Sequence, residues 1–306
     1  MKIAVVIVTY NPKKWLRKCL SSLEQSTVDL NVIVVDNKST DGSNIIIKNH
    51  FPNVTLLEVN ENQGFGKGNN IGIKKALSIG ADYVFLLNQD AWIESNTIIN
   101  LISAHQKEPQ YGVISPMHLN GTGDALDYKF SFYISPSKCK NLYSDIYLKN
   151  IKSHIYEVDF VNAAAWLISR ECIEKVGGFN PSFFHYGEDD NYIQRIKYHS
   201  FKLGVLPTSN IFHDRETASH NNIYFQDEMV RYERSLVLKF SNPYNNYGFQ
   251  SEYKKKIIAL VKAIVFLKIG DIKKNILNIK ILNQLDKRNI LRNNNESKKI
   301  APSFLI

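Results

Sequence analysis

Four short apolar runs in the first 90 residues constrain the fold of this chain more than any other feature. The runs are IAVVIV at residues 3–8, VIVV at 32–35, VTLLEV at 54–59 and YVFLL at 83–87. Continuous runs of this kind are typical of strands that are covered on both faces. The stretches between them carry apolar residues at helical spacing, as Leu16, Leu20 and Leu23 do after the first run. Strands that alternate with helices predict an α/β fold with a mostly parallel central sheet flanked by helices.

Polar residues follow each of these predicted strands, at the point where the strand ends. The clusters are Thr9 to Asn11, Asp36 with Asn37, Asn62 to Asn70, and Asn88 to Asp90. The carboxyl ends of parallel strands lie at one edge of a sheet, and ligands of open α/β sheets bind beyond that edge. The positions of the clusters therefore predict a binding crevice at this edge.

The alternation is weaker after Asp90. Residues 95–109 predict a helix and residues 111–119 a strand. Residues 120–157 are polar and aromatic without a clear period, which is typical of an inserted loop that contacts a variable ligand. A strand and a helix are expected within residues 158–178, and a last strand within 202–214. Residues 228–240 and 250–292 predict a helical C-terminal segment.

The excess positive charge of the chain lies in this C-terminal segment. The whole chain carries +9, whereas residues 254–299 contain 13 Lys or Arg and 3 Asp or Glu, a balance of +10. The remainder has 25 basic and 26 acidic residues, a balance of −1, which argues against a nucleic-acid-binding surface. The basic amphipathic segment suits an anionic membrane surface, at roughly 1 kcal/mol per well-placed Lys or Arg. The alternative is a helical pair packed on the body of the protein with a solvated lysine face.

Other bulk features suggest a reducing compartment. No stretch reaches the ~18 uninterrupted apolar residues of a membrane span, and the first apolar run ends at Thr9, too early for a signal peptide. The three cysteines, Cys19, Cys139 and Cys172, show no CxxC spacing. Neither a disulfide framework nor a zinc site is predicted. We expect a cytoplasmic location, either free or peripheral at the inner face of the cell membrane.

Two residues at strand ends are candidate metal ligands. Asp90 ends the strand in VFLLNQDAW, where a carboxylate is costly unless it faces a crevice or a cation. A divalent ion that bridges a diphosphate takes one or two protein carboxylates. His213, at the end of the last predicted strand, offers an imidazole ligand. The alternatives are a turn-capping Asp and a structural His.

The glycine-rich stretch GFGKGNNIG, residues 64–72, matches no complete phosphate-binding motif. It lacks Gly-Lys-Ser/Thr and has Asn69 where a dinucleotide fingerprint has its third glycine. Its glycines and Lys67 are compatible with phosphate near a helix N-terminus. They are equally compatible with a tight turn from strand to helix.

Three adjacent acids, Glu188, Asp189 and Asp190, follow a glycine and an aromatic run in FFHYGEDD. Neighbouring negative charge makes a carboxylate more basic, which suits a general base that takes a proton from a hydroxyl. The alternative is a solvated helix start favoured by the helix dipole, but the aromatic run argues against full solvation. Asp36, after the second strand, is compatible with a contact to a base or ribose, or with an ordinary turn.

Together these motifs resemble the family 2 glycosyltransferases of the GT-A fold, especially the bacterial rhamnosyltransferase-like members. The matching segments, in the family's order, are VVIVTYN (5–11), VVDNKSTDGS (34–43), NENQGFGKGNNIGI (60–73), LLNQDAW (86–92), residues 163–196 and His213. The resemblance implies inverting transfer of a sugar from a nucleotide-diphospho-sugar, dTDP-rhamnose or a UDP-hexose, to a hydroxyl of a saccharide acceptor. It also implies a divalent metal, Mn²⁺ or Mg²⁺, and a lipid-linked acceptor in cell-surface polysaccharide biosynthesis.

The resemblance implies roles for individual residues. Thr9, Asn11 and Asp36 would hold the base and ribose, and Lys67, Asn69, Asn88, Gln89 and Asp90 would bind the rest of the nucleotide-sugar. Asp90 and His213 would bind the metal, Asp189 would be the catalytic base, and Trp166 and Glu188 would hold the acceptor. Two departures reduce the match, since Asn88 replaces the first Asp of the family's D-x-D motif and no Gly follows His213.

We therefore expect a catalytic domain at residues 1–227, followed by a basic helical segment at 228–306. Within the domain, residues 1–115 would bind the nucleotide-sugar and residues 116–227 the acceptor. A catalytically silent nucleotide-sugar binder or scaffold is the alternative function, although the presence of both Asp90 and Asp189 favours an enzyme. Homodimerisation through the C-terminal helices is left open.

Overall fold

The structure, a computed structural model, describes residues 1–151, 155–215 and 227–305. Within these ranges the strands are β1 (Ile3–Thr9), β2 (Asn31–Asp36), β3 (Thr55–Glu58), β4 (Tyr83–Leu87), β5 (Ala91–Ile93), β6 (Tyr111–Asn120), β7 (Tyr156–Glu157), β8 (Ala165–Ser169) and β9 (Lys202–His213). The helices are α1 (Leu16–Glu24), α2 (Ser43–His50), α3 (Gly64–Ser78), α4 (Thr97–Lys107), α5 (Tyr128–Tyr133), α6 (Leu142–Tyr147), α7 (Arg170–Val176), α8 (Glu188–Tyr198), α9 (Glu228–Ser241), α10 (Phe249–Val265), α11 (Ile269–Gln284) and α12 (Lys287–Ser297).

All of these strands belong to one mixed sheet, in the order β3-β2-β1-β4-β8-β6-β9-β5, with β7 paired to β9. Strands β1 to β4, β6 and β9 run in one direction, and β5, β7 and β8 run in the other. The predicted mostly parallel sheet is confirmed. One edge of the sheet therefore collects the carboxyl ends of β1, β2, β4, β6 and β9, together with the amino ends of β5 and β8.

Helices cover both faces of the sheet, which explains the uninterrupted apolar strands. Along β1, Ala4 and Val6 face a core beneath α3, α7 and α8, whereas Val5 and Ile7 face a second core beneath α1 and α4. Neither face of β1 is open to water, so neither face selects polar residues.

The glycines of residues 64–72 allow α3 to lie close to the sheet. The stretch is helical from Gly64 onward. A Cβ atom at Gly68 would lie 2.7 Å from Val8 Cγ1, and one at Gly72 would lie 2.2 Å from Val6 Cγ1. Larger residues at these two positions would push α3 away from β1. Gly68 and Gly72 therefore serve helix–sheet packing.

The C-terminal segment is helical, as predicted for residues 228–240 and 250–292, and is interrupted by turns at 266–268 and 285–286. It has a small apolar core of its own, formed by residues that include Phe240, Phe249 and Leu282. The chain end returns to the body, where the Gly178 N–H donates to the Ser303 carbonyl at 2.8 Å. No helix within the described residues is both long enough and apolar enough to cross a membrane.

Several elements differ from the sequence-based expectation. The sequence did not reveal the short strands β5 and β7, and residues 120–157 contain helices α5 and α6 in place of a continuous loop. Residue 115, the boundary expected between the two halves, lies within β6, and the division into a nucleotide-sugar half and an acceptor half stays a prediction. Part of the expected acceptor-binding half, residues 216–226, lies outside the described residues.

Candidate active site

The carboxyl-end edge of the sheet opens into a cleft of about 1720 Å³. Three segments that are far apart in sequence meet there: the β4–β5 turn, the end of β9 and the start of α8. They bring Asp90, His213 and residues 188–190 to one cavity, with Asn88 also in its wall. The candidate metal ligands and the candidate base therefore share a single cleft.

His213 lies between two carboxylates. Its Nε2 atom is 3.3 Å from Asp90 Oδ1, and its Nδ1 atom is 3.2 Å from Asp127 Oδ2. The buried Asp127 carboxylate also forms an ion pair with Arg215, whose Nε atom lies 2.8 Å from Oδ2. Because Asp127 holds Nδ1, the ring is oriented with Nε2 towards Asp90, as in carboxylate–histidine–metal arrangements.

The electrostatics of this trio favour a cation beside Asp90. Burial acts to lower the pKa of His213, but hydrogen bonds to Asp127 and Asp90 raise it above its ordinary value. Burial acts to raise the pKa of Asp127, but the hydrogen bond from His213 and the charge of Arg215 lower it. A metal ion beside Asp90 would therefore replace a proton held between Nε2 and Oδ1.

Sequence reasoning missed Asp127 and Arg215. Asp127 lies in the aperiodic stretch and caps α5, where its carboxylate accepts from the Phe130 N–H at 2.8 Å. An Asp before a short helix is a recognisable capping signal. Its second contact, to His213 at the end of β9, arises only because β6 and β9 are neighbours in the sheet.

The three acids occupy the first turn of α8, after Gly187 in the left-handed region with φ of 98°. Glu188 is 4% exposed, and within the described residues its Oε2 atom has no hydrogen-bond partner. Burial, and then the charge of Asp189, raise the pKa of Glu188 to about 8 and that of Asp190 to about 7. Burial also raises the pKa of Asp189. These are not ordinary solvated acids, and raised carboxyl pKa values in a cleft are typical of catalytic sites.

The helix α9 of the C-terminal segment forms part of the cleft wall. Arg231, Arg234, Ser235 and Leu238 line the cavity at spacings of three and four residues, so one face of the helix is turned to it. The charge of Arg234 partly offsets the raised pKa values of Glu188 and Asp190. The C-terminal segment is thus a component of the site and not only an appendage.

A second polar cluster lies at the ends of β1 and β2. The buried Asp36 carboxylate accepts hydrogen bonds from Thr9 Oγ1 at 3.2 Å, from the Ser39 N–H at 3.1 Å and from Ser39 Oγ. The Asn11 N–H donates to Ser39 Oγ at 2.9 Å, and Asn11 Oδ1 accepts from the Thr40 N–H at 2.8 Å. Most acceptor sites of this carboxylate are already used, which makes the cluster rigid.

Gln89 connects the two clusters. Its Oε1 atom accepts from the Tyr10 N–H at 2.7 Å, and its Nε2 atom donates to the Tyr10 carbonyl at 3.2 Å. These bonds join the end of β1 to the turn that carries Asn88 and Asp90. The two clusters therefore lie along one edge of the sheet, although only the Asp90 cluster lines the large cleft.

Besides the residues of the second cluster, Trp166, Asn69 and Lys67 do not line the cleft. Trp166 is fully buried in the core and stacks on Phe179 with ring centroids 6.2 Å apart. Asn69 is buried within α3, and its Nδ2 atom donates to the Phe65 carbonyl at 3.0 Å. Lys67 is exposed on α3 outside the cleft lining. The helical packing of α3 explains both of the latter positions.

The donor atoms present fit a divalent ion that is shared with a phosphate ligand. Within the described residues, no group of three His, Cys, Asp or Glu side chains could hold a metal. Asp90 and His213 supply one carboxylate and one imidazole, and Mg²⁺-type sites at phosphates use one or two protein carboxylates with the remaining ligands from substrate and water. Their 3.3 Å separation is close to the ~3 Å between neighbouring ligand atoms of a six-coordinate ion.

Comparisons with known proteins identify the family and the fold of this chain. The family model "Glycosyl transferase family 2" matches residues 4–177. The chain is 25% identical over 244 residues to the N-acetylglucosaminyl-diphospho-decaprenol L-rhamnosyltransferase of Mycobacterium tuberculosis, covering 71% of this chain and 80% of that protein.

Solved structures share the fold. S. aureus TarS 1-349 in complex with UDP-GlcNAc matches with a TM-score of 0.56 and 16% identity, over 97% of this chain and 90% of that chain. The mannosyltransferase PcManGT from Pyrobaculum calidifontis, in complex with GDP-Man and Mn²⁺, matches with a TM-score of 0.56 and 17% identity, over 97% and 73% of the two chains. The fold is therefore the predicted GT-A fold. Because the family model also covers more than half of its length, the chain belongs to glycosyltransferase family 2 and is a glycosyltransferase.

Proposed function

We propose that this chain is an inverting glycosyltransferase that moves a sugar from a nucleotide-diphospho-sugar to a hydroxyl of a lipid-linked saccharide in cell-surface polysaccharide biosynthesis. The observation that carries the proposal is the shared cleft, whose lining contains both a carboxylate–imidazole pair and three acids of raised pKa. Inverting transfer needs these two functions opposite each other, because the nucleophile and the leaving group lie on opposite faces of the sugar.

In this proposal Asp189 is the catalytic base. It takes the proton from the acceptor hydroxyl while the acceptor oxygen bonds to the anomeric carbon of the donor sugar and the bond to the diphosphate breaks. The raised pKa of Asp189 suits this step, because a more basic carboxylate accepts the proton more readily. Glu188 is within the same turn and would hold another acceptor hydroxyl, whereas the charge of Asp190 contributes to the raised pKa of Glu188.

Asp90 and His213 would hold a divalent metal, Mn²⁺ or Mg²⁺. A bound ion would offset the negative charge on the departing diphosphate. Asp127 would orient His213 for this role, and Asn88 would contact the nucleotide-sugar next to Asp90. The replacement of the first D-x-D carboxylate by Asn88 leaves Asp90 to supply the carboxylate alone.

The rigid cluster at the ends of β1 and β2 would bind the nucleoside. Thr9, Asn11 and Asp36 would contact the base and ribose, with Gln89 fixing their position relative to Asp90. A preformed cluster loses little conformational entropy on binding, which favours affinity. The donor we expect is dTDP-rhamnose, with a UDP-hexose next. The named activity of the mycobacterial relative supports this choice.

A lipid-linked acceptor is supported by the cleft wall and by the same relative. Arg231 and Arg234 on α9 place guanidinium groups at the cavity, where they suit the phosphate that joins a saccharide to its lipid carrier. We propose that the chain works at the inner face of the cell membrane, with residues 1–227 as the catalytic domain and residues 228–306 as a basic segment whose first helix, α9, lines the cleft and whose later helices face lipid.

Thermal-shift screening tests the donor assignment. The chain is heated with dTDP-rhamnose, UDP-glucose, UDP-galactose, UDP-GlcNAc and GDP-mannose, each with and without Mn²⁺. Stabilisation rises with ligand concentration over Kd, so the true donor gives the largest increase in Tm, and Mn²⁺ enlarges it. Transfer of radiolabelled sugar to a polyprenyl-diphospho-saccharide then tests catalysis. A chain that binds a nucleotide-sugar but transfers to no acceptor would support the silent-binder alternative.

A further inference from the structure

The turn between α10 and α11 carries a concentrated patch of exposed apolar side chains. Val265 is 70% exposed, Phe266 69%, Leu267 82% and Ile269 69%. Every residue from 264 to 271 is exposed. Contiguous exposed apolar patches on a folded protein mark surfaces that contact a partner or a membrane. We call residues 264–269 the hairpin tip.

The hairpin tip is an ordered feature and not a frayed helix end. The Lys268 N–H donates to the Ala263 carbonyl at 2.9 Å, and the Leu267 N–H donates to the Ile264 carbonyl at 3.0 Å. Leu267 takes the left-handed conformation, with φ of 51°, that reverses the chain into α11. Backbone hydrogen bonds thus hold the turn in the conformation that exposes these apolar side chains.

The other end of the hairpin is attached to the catalytic cleft. Phe249, at the start of α10, packs on Phe240 of α9 with ring centroids 3.9 Å apart. Lys239 of α9 forms an ion pair with Glu252 of α10. The hairpin tip lies at the far end of α10, about 25 Å along the helix from Phe249. The same α9 places Arg231 and Arg234 in the cleft wall.

Charge identifies the kind of partner. Residues 249–284 contain eight lysines and two acids, and one of those acids, Glu252, is paired with Lys239. Lys262, just before the hairpin tip, and Lys268, within it, are both exposed. An apolar tip with adjacent lysines complements an anionic lipid surface, which offers hydrocarbon below and negative headgroups around it. It does not complement a second copy of itself, because the lysines of the two copies would repel.

We propose that the hairpin tip inserts into an anionic bilayer, with the surrounding lysines on lipid headgroups, and holds the cleft beside its lipid-linked acceptor. The inference deepens the proposed work at a membrane and rests on it. The tests below use neither donor nor acceptor, so their failure is distinguishable from a failure of the proposed chemistry.

Co-sedimentation with vesicles tests binding. The full chain is mixed with phosphatidylcholine vesicles that contain 30% phosphatidylglycerol, or with pure phosphatidylcholine. We expect binding to the anionic vesicles, and at least a roughly tenfold loss of partitioning in Phe266→Glu/Leu267→Glu and in Lys262→Glu/Lys268→Glu. The matched control is Ile45→Glu/Lys74→Glu, which changes an exposed Ile on α2 and an exposed Lys on α3 and should bind as the wild type does.

A fluorescent label tests insertion. The three native cysteines are buried, so Leu267→Cys and the control Ile45→Cys can each be labelled selectively with NBD. We expect NBD emission at position 267 to increase and shift to the blue on anionic vesicles, while emission at position 45 stays constant. A label at 267 that binds without this change would show adsorption without insertion and overturn the proposal.

Two further outcomes would also overturn it. One is equal binding of the tip variants and the wild type, with circular dichroism showing that both are folded. The other is a wild-type dimer in light scattering that the Phe266→Glu/Leu267→Glu variant converts to monomer without vesicles present. That result would assign the hairpin tip to a second copy of this chain.

Discussion

Two polar clusters at the same edge of the sheet differ in how their carboxylates are satisfied. Asp36, at the end of β2, accepts three hydrogen bonds from Thr9 and Ser39. Glu188, at the start of α8, is equally buried but has an oxygen without a partner among the described residues, and its pKa rises to about 8. Hydrogen bonds stabilise the charge of the carboxylate in the Asp36 cluster, whereas burial disfavours negative charge in the Glu188 cluster.

The difference suggests that the two clusters have separate roles, one in ligand recognition and the other in proton transfer. A satisfied network is rigid and changes little when a ligand arrives, which suits recognition of a nucleoside. A carboxylate of raised pKa is stabilised when it takes up a proton or accepts a hydrogen bond from a hydroxyl, which suits proton transfer. The following predictions test whether the two clusters separate binding from chemistry in this way.

The largest expected effect is at Asp189. Asp189→Asn removes the proposed base, and we expect kcat to fall by roughly 10³-fold while the donor-induced rise in Tm is kept. Asp190→Asn is the control, because the neighbouring acid does not take the proton, and a loss of about tenfold is expected. Steady-state transfer assays measure both. Full activity of Asp189→Asn would show that Asp189 is not the catalytic base and would contradict the catalytic role proposed for this cluster.

The next effects are at Asp90 and Asp127. In Asp90→Asn we expect kcat/KM to fall roughly 10²-fold or more, because a proposed metal ligand is lost. In Asp127→Asn we expect the affinity for Mn²⁺ to fall about 10- to 100-fold, because His213 is no longer held in its orientation. Mn²⁺ binding is followed directly by electron paramagnetic resonance. Asp29→Asn, at an exposed acid after α1, is the control. Unchanged Mn²⁺ binding in Asp127→Asn would limit that residue to capping α5.

A smaller and different effect is expected at Asp36. Asp36→Asn weakens the hydrogen-bonded cluster at the ends of β1 and β2. The KM for the donor should therefore rise about tenfold while kcat stays within a factor of two to three. Ser39→Ala removes one of its donors and should raise KM less. A large fall in kcat at constant KM would mean that this cluster also acts in the chemical step, and the comparison would then fail.

The smallest effect is on stability. The pKa of Glu188, about 8, lies above the ordinary 4.5, so the folded state holds more protons than the unfolded state between these pH values. Stability therefore falls as pH rises from about 4.5 to about 8. Glu188→Gln removes this loss, and we expect its Tm to exceed that of the wild type by roughly 5 °C at pH 8 and by little at pH 4.5. Glu24→Gln, at an exposed acid, should show no such trend.

Local pattern was sufficient for the parallel half of the sheet. β1, β2 and β4 are buried on both faces, and that burial alone produces the continuous apolar runs. The same was true of the C-terminal helices, in which Ile, Leu and Val residues recur at helical spacing. β5 and β7 have only three and two residues, too few to show a period, and their pairing with β9 depends on distant residues.

The same distinction between local sequence pattern and contacts between distant residues applies to the candidate site. Polar residues at strand ends predicted Asp36, Asp90 and His213 correctly as residues of one sheet edge. Trp166, Lys67 and Asn69 were assigned to ligand by motif, but a motif does not state which face of an element is turned to the cleft. Asp127 was missed because its importance comes from its contact with His213.

The order of apolar and polar residues along this chain determined the α/β class, the sheet edge that carries the polar clusters, and the position of the excess positive charge, because each depends on short-range pattern. Tertiary structure alone decided that Asp90 and Asp189 share a cleft, that Asp127 orients His213, and that α9 forms part of the wall. It also decided that residues 264–269 stay exposed. These features depend on which distant segments are brought together, and burial and pKa follow from that proximity.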